Sequence, residues 1–175
     1  MLQIEVPSVE LFNEETNRFV QLKGMKLTME HSLVSLAKWE SIHCKPFLVE
    51  KPEKTSEEWI DYLRCMTITQ NVPDYIYYSL SEANWVDVNA YIAAPMTATT
   101  FGGTSKSRGK KEIVTAEILY YDMITLGIPI EFQKWHLNRL QTLIRVCTIK
   151  NSNEKLSKNE LYARQKAINK RNRKK

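Results

Sequence analysis

At 175 residues the chain is sized for one domain, and its 43% hydrophobic and 26% charged residues are an ordinary globular balance. It has no run of about 20 apolar residues, so no membrane-spanning helix is expected, and Met1-Leu-Gln-Ile-Glu-Val-Pro7 has neither the basic nor the apolar region of a signal peptide. The net charge of +5 is unevenly held: Lys150 to Lys175 carries ten Lys/Arg and two Asp/Glu, leaving fifteen basic and eighteen acidic residues for a mildly acidic body.

Leu2, Ile4 and Val6 alternate with polar neighbours at the period of a strand. Val9-Glu-Leu-Phe12 and Arg18-Phe-Val-Gln-Leu22 flank the polar Asn13-Glu-Glu-Thr-Asn17, which suits a hairpin connection. Residues 1–29 therefore read as a small antiparallel β unit. From Ser32 the apolar positions Leu33, Leu36, Ala37 and Trp39 take helical spacing, and Pro46 bounds them. Thr55-Ser-Glu-Glu58 is a capping box that opens a second helix through Trp59, Ile60, Leu63 and Met66. A short helix is expected over Tyr75 to Leu80. Ser81 caps the next, Glu82 to Ile92, which Pro95 stops.

Phe101-Gly-Gly-Thr-Ser-Lys-Ser-Arg-Gly-Lys-Lys111 is the one low-complexity stretch. Beyond it the pattern predicts a helix from Glu112 to Leu126, closed by Gly127, and another from Pro129 to about Ile149. Ser157-Lys-Asn-Glu160 is a further capping box and begins a basic helix. The fold class expected is mainly α: an N-terminal β-hairpin, a helical bundle and a basic C-terminal helix. Residues 1–150 form one domain and 151–175 a basic tail.

Several constellations carry the residue types of chemistry without its spacing. His43 and Cys44 are adjacent, but neighbours on a helix point about 100° apart, so the imidazole is not placed to activate the thiol. No glycine nearby lets backbone amides converge on an oxyanion. His31, His43, His136, Cys44, Cys65 and Cys147 never take the paired spacing that locks zinc. The odd, scattered cysteines suit reduced thiols. The glycine-rich stretch departs from a Walker loop at Thr104 and at Lys111, and follows no strand. No catalytic, metal or cofactor residue is therefore expected.

Binding is the remaining reading. Lys106, Arg108, Lys110 and Lys111 in the loop, with Lys170, Arg171, Arg173, Lys174 and Lys175 in the tail, form a candidate polyanion contact. Tyr120 to Cys147 reads as helix, tight turn, helix. That pattern fits a DNA reader, but also an αα-hairpin in a core, and Glu131 sits where a reader would crowd basic residues. Leu137, Leu140, Leu143, Ile144 and Cys147 are expected inward, with Lys134, Asn138, Arg139, Gln141 and Arg145 outward. More tyrosine than a small core needs can mark a partner surface, so Trp135, Arg139, Arg145, Tyr120 and Tyr121 are the candidate partner residues.

Glu30-His-Ser-Leu-Val-Ser-Leu-Ala-Lys-Trp-Glu40, Lys45-Pro-Phe-Leu48, Asp61-Tyr-Leu-Arg-Cys-Met-Thr67, Ala94-Pro-Met-Thr-Ala98 and Lys134-Trp-His-Leu-Asn-Arg-Leu140 resemble, in order and over most of the chain, the tail assembly chaperones of long-tailed bacteriophages. The resemblance implies a non-enzymatic protein without cofactor. It would coat the long, helical tape-measure protein in the host cytoplasm while the tail tube polymerises, and be absent from the mature virion. It implies no catalytic residue. Two other readings stand beside it. One is a structural tail or head–tail joint protein retained in the virion. The other is a nucleic-acid-binding protein using the basic tail, with weak, nonspecific affinity. Self-association is left open, and no membrane partner is expected.

Overall fold

A computed structural model describes residues 1–13, 17–101 and 113–154. The N-terminal segment is a single antiparallel ribbon broken at one point. Strand β1 (Leu2–Val6) pairs with β4 (Met25–Met29), and β2 (Val9–Asn13) pairs with β3 (Arg18–Leu22). Ile4 faces Leu27, and Leu11 faces Val20 in the same register, so no residue is gained or lost across the break. In the proximal half Ile4, Val6, Leu27 and Met29 are buried. Gln3, Glu5 and Lys26, on the alternate positions, are exposed, as the two-residue period of a half-buried sheet requires. At the break the backbones touch. A Cβ on Gly24 would lie 2.3 Å from the Val6 carbonyl oxygen, so only glycine fits there.

Among the described residues five longer helices follow, with two short ones between them: α1 (Leu33–His43), α2 (Ser56–Met66), α3 (Tyr75–Tyr78), α4 (Glu82–Ala93), α5 (Ala116–Thr125), a 3-10 turn (Ile130–Lys134) and α6 (Leu137–Glu154). Ser32, Thr55 and Ser81 each cap their helix through a reciprocal box with the residue three places on. These boxes satisfy backbone donors that a helix start leaves orphaned. α1 is the central helix. Its Leu33, Leu36 and Trp39 are buried in one core with Leu63 and Met66 of α2, Leu119 and Met123 of α5, and Leu137 and Leu140 of α6. Trp39 Nε1 donates to the Glu58 carbonyl at 2.7 Å, which satisfies the indole of a fully buried ring. Phe47 stacks on Tyr62 with centroids 3.8 Å apart. The outer edge of β4 is covered where Ile68 N donates to Thr28 O and Glu30 N to Met66 O, so that edge is not left open to pairing.

Two predicted elements are corrected. The helix expected from Glu112 begins at Ala116. The preceding Ile113-Val-Thr115 is β-branched and non-helical, and the first helical amide, Ala116 N, donates to Glu40 Oε2 at 2.7 Å. The single helix expected from Pro129 to Ile149 is instead a 3-10 turn, a break at Trp135 and His136, and α6. The break is tertiary. Ser32 and His136 form an isolated antiparallel bridge, and Leu137 N donates to His31 O at 2.7 Å. α6 passes through position 150 without interruption and reaches Glu154. The capping box at Ser157 lies outside the described residues.

Candidate functional site

α5 ends in a turn that sets the geometry of the region. Gly127 takes φ 66°, Gly127 N donates to Ile124 O, and Ile128 N donates to Met123 O. This is a Schellman closure, with Ile128 buried as its apolar contact. Pro129 then fixes the entry to the 3-10 turn. The turn places Phe132 against Trp135, with ring centroids 4.0 Å apart and planes 14° apart. The Arg139 guanidinium carbon also lies over the indole, 4.0 Å from the ring centroid. Phe132, Trp135 and Arg139 thus form one ladder in which a cation faces an aromatic surface. Arg139, on the first turn of α6, is exposed, while the two rings are half-buried. Tyr120 O–H donates to Gln133 Oε1 at 2.8 Å, and burial raises its pKa.

Beside this ladder, α5 and the turn expose three large apolar residues: Tyr121 at 66%, Ile124 at 75% and Ile130 at 52%. Tyr121 and Ile124 are three residues apart and share a helix face. Leu119 and Met123 take the opposite, buried face. Phe132, Ile124 and Ile130 were not among the sequence-based candidates. The signal was present: Tyr121 and Ile124 share an apolar stripe that Leu119 and Met123 do not need, so α5 is apolar on two faces.

The predicted partner residues are only partly brought together. Trp135 and Arg139 touch, and Tyr120 reaches the same turn. Tyr121 lies on the outer face of α5. Arg145 sits elsewhere on α6, its guanidinium carbon 4.0 Å from the Phe101 ring. Asn138, expected outward, is half-buried and donates from Nδ2 to both Ile92 O and Ala94 O at 2.9 Å. It ties α6 to the end of α4 and is not free for a partner. Gln141 is half-buried as well. Leu137, Leu140 and Ile144 are buried as expected, and Leu143 and Cys147 pack partly against the core. The basic residues Lys106, Arg108, Lys110, Lys111, Lys170, Arg171, Arg173, Lys174 and Lys175 lie outside the described residues.

His43 and Cys44 do not act on each other in this geometry. Cys44 is the C-cap of α1, exposed, at φ 51°. His43 stacks on Trp39 with centroids 4.4 Å apart, and its Nε2 lies 3.2 Å from Asp61 Oδ2. The other two histidines are buried together. His31 and His136 have ring centroids 5.1 Å apart. His136 Nε2 donates to Tyr91 O at 2.9 Å, which leaves Nδ1 bare and without a partner among the described residues. His31 Nδ1 lies 2.5 Å from the Tyr62 hydroxyl. Burial, then the neighbouring His136, lowers the His31 pKa to about 3. Burial also lowers that of His136, against the Tyr91 carbonyl and Glu30. Neutral, mutually packed rings of this kind hold a fold together and are poor proton carriers near pH 7. Among the described residues, no group of three or more His, Cys, Asp and Glu is placed to hold a metal ion, and no helix is long and apolar enough to cross a membrane.

No family model, curated protein or solved structure matches the chain. The resemblance to tail assembly chaperones therefore rests on the motifs quoted above. In the fold those motifs are α1 and the residues leading into it, the loop after α1 that carries Phe47, the end of α2, the segment after α4, and the break before α6.

Proposed function

We propose that this protein is a tail assembly chaperone, binding a long, helical tape-measure protein and keeping it soluble until the tail tube closes around it. The observation that carries the reading is the exposed surface of the Tyr120–Arg139 region. It offers Tyr121, Ile124 and Ile130 beside the Phe132–Trp135–Arg139 ladder. Tyrosine and tryptophan supply large contact area at low entropic cost. Such a surface suits many modest contacts along an apolar seam, and modest contacts can be displaced when the tube polymerises. The motif series supports the same reading independently. A basic tail beyond α6 adds an attraction that salt weakens. In this reading the protein performs no chemistry and acts in the host cytoplasm.

Co-expression tests it. Tape-measure protein is expected to be insoluble alone and soluble with the full chain. With Tyr121→Ser/Ile124→Ser it should be mostly insoluble, at an unchanged melting temperature, because both side chains are exposed. If tape-measure protein stays insoluble in every case, and this protein is found in stoichiometric amount in purified virions, the chaperone reading fails. The retained structural role then replaces it.

A further inference from the structure

The loop between α1 and α2 folds over an aromatic group made by Trp39, Phe47 and Trp59. A cavity of about 410 Å³ lies against this loop, walled by Trp39, alone of the three rings, and by Pro46, Val49, Pro52, Lys54 and Thr55. Its size falls within the range of about 300–1,000 Å³ usual for small-molecule sites. Two further lysines, Lys45 and Lys51, and two carboxylates, Glu53 and Glu58, also line it.

These charges are not equivalent. Lys45 Nζ is 2.6 Å from Glu58 Oε1, and Glu58 Oε2 accepts from Thr55 N at 2.9 Å. That pair is already satisfied. Lys54 is not. Its Nζ lies 4.6 Å from the Phe47 ring centroid and 5.7 Å from that of Trp59, and it donates to Val49 O at 3.2 Å. Among the described residues no carboxylate lies within ion-pair distance of it. Burial pulls its pKa below the ordinary lysine value, against the more distant Glu58. A half-buried ammonium with one carbonyl and two ring faces is under-compensated.

We propose that this cavity binds a small organic anion, with Lys54 taking its single carboxylate or phosphate head and Pro46, Val49 and Pro52 covering its apolar body. Lys51 adds attraction at the wall, while Glu53 opposes more than one negative charge. The preference is therefore for one charged head on an apolar frame, not for a polyphosphate. This inference is independent of the chaperone reading.

Calorimetric titration of the full chain with benzoate, phenyl phosphate and inorganic phosphate tests it, with amide shifts followed by NMR. Benzoate or phenyl phosphate should saturate, and the shifts should concentrate in residues 45–58. Inorganic phosphate should bind at least about tenfold more weakly, because it leaves the apolar wall uncovered. Lys54→Met keeps an apolar stem over Phe47 and should weaken the organic anion by about tenfold or more. Two outcomes overturn the proposal. One is no saturable binding by the wild-type chain of either organic anion at tens of millimolar, an order-of-magnitude ceiling for a specific site. The other is equal binding by a folded Lys54→Met. The wild-type titration decides the matter even where that variant fails to fold.

Discussion

Glu40 shows how one side chain sets the start of a distant element. It is buried at 7% exposure. Its two oxygens accept Phe47 N at 2.8 Å and Ala116 N at 2.7 Å, so a carboxylate on α1 holds both the following loop and the first turn of α5. A carboxylate at a helix N-terminus also faces the positive end of the helix dipole. Glu40→Ala removes both acceptors and leaves two amides without partners. The expected loss is about 3 kcal/mol of unfolding free energy, since bonds to charged groups contribute about 1.5–3 kcal/mol each and share one desolvation here. Glu40→Gln keeps one acceptor and should lose less. Urea unfolding of the two variants checks the order; an Ala variant as stable as wild type would remove Glu40 from this role. Cys44 makes the opposite case. It is exposed at the end of α1, and the histidine beside it is held on Trp39 and Asp61. Cys44→Ser should leave stability within about 0.5 kcal/mol, as for other surface changes that touch nothing else.

At the scale of elements, the ribbon depends on the crossing at Gly24. Gly24→Ala must push the added methyl into the Val6 carbonyl, and the neighbour is backbone, which cannot rotate away. The expected cost is about 1–3 kcal/mol, the usual range for overpacking. Amide exchange should rise first at the bend, at Val6, Ser8 and residues 23–25. Unchanged exchange and stability would mean the strands separate there at no cost. The ribbon, the capping box at Thr55, the cap at Ser81 and the glycine stop at Gly127 were legible in the sequence because each is local. Period, cap and left-handed glycine all act within a few residues. The start of α5 and the break before α6 were not legible. Glu40 and His31 impose them from 76 and about 100 residues away, and no window of sequence contains both partners. The same reason hides the aromatic ladder. Trp135 and Arg139 are four apart and were both candidates, but Phe132 joins them only because the backbone leaves the helix at Trp135.

For the whole molecule, the buried histidine pair is a polar group that joins several elements at once. His31 lies between β4 and α1, its partner Tyr62 is on α2, and His136 stands before α6 and bonds the end of α4 through Tyr91 O. Tyr91 O–H in turn donates to Glu30 Oε1 at 2.6 Å. Loss of this cluster should therefore unfold the domain as one unit. Both histidines have folded pKa values below the ordinary 6.5, that of His31 at about 3. In the unfolded chain each takes a proton near pH 6.5. Below that pH the unfolded state binds more protons than the folded one, so stability is fully present above pH 6.5 and falls as the pH drops toward 3. The slope is at most about 1.4 kcal/mol per pH unit for each histidine. Glu58 adds to acid sensitivity only lower down. Its pKa is depressed first by the Lys45 bond, so its contribution is lost below the ordinary carboxylate value of 4.5. The interval from pH 6.5 to 5 thus isolates the histidines. Urea unfolding at pH 7.5, 6.5, 5.5 and 5.0 should give one transition throughout, with free energy falling across the last three points. His136→Gln places a neutral amide near the Tyr91 carbonyl and cannot take the proton. It should flatten that fall by up to one proton's slope while leaving the pH 7.5 value lower by no more than a few kcal/mol. A wild-type stability flat from 6.5 to 5.0, or a His136→Gln variant with the same slope as wild type, would show that the pair does not control the acid limit of the fold.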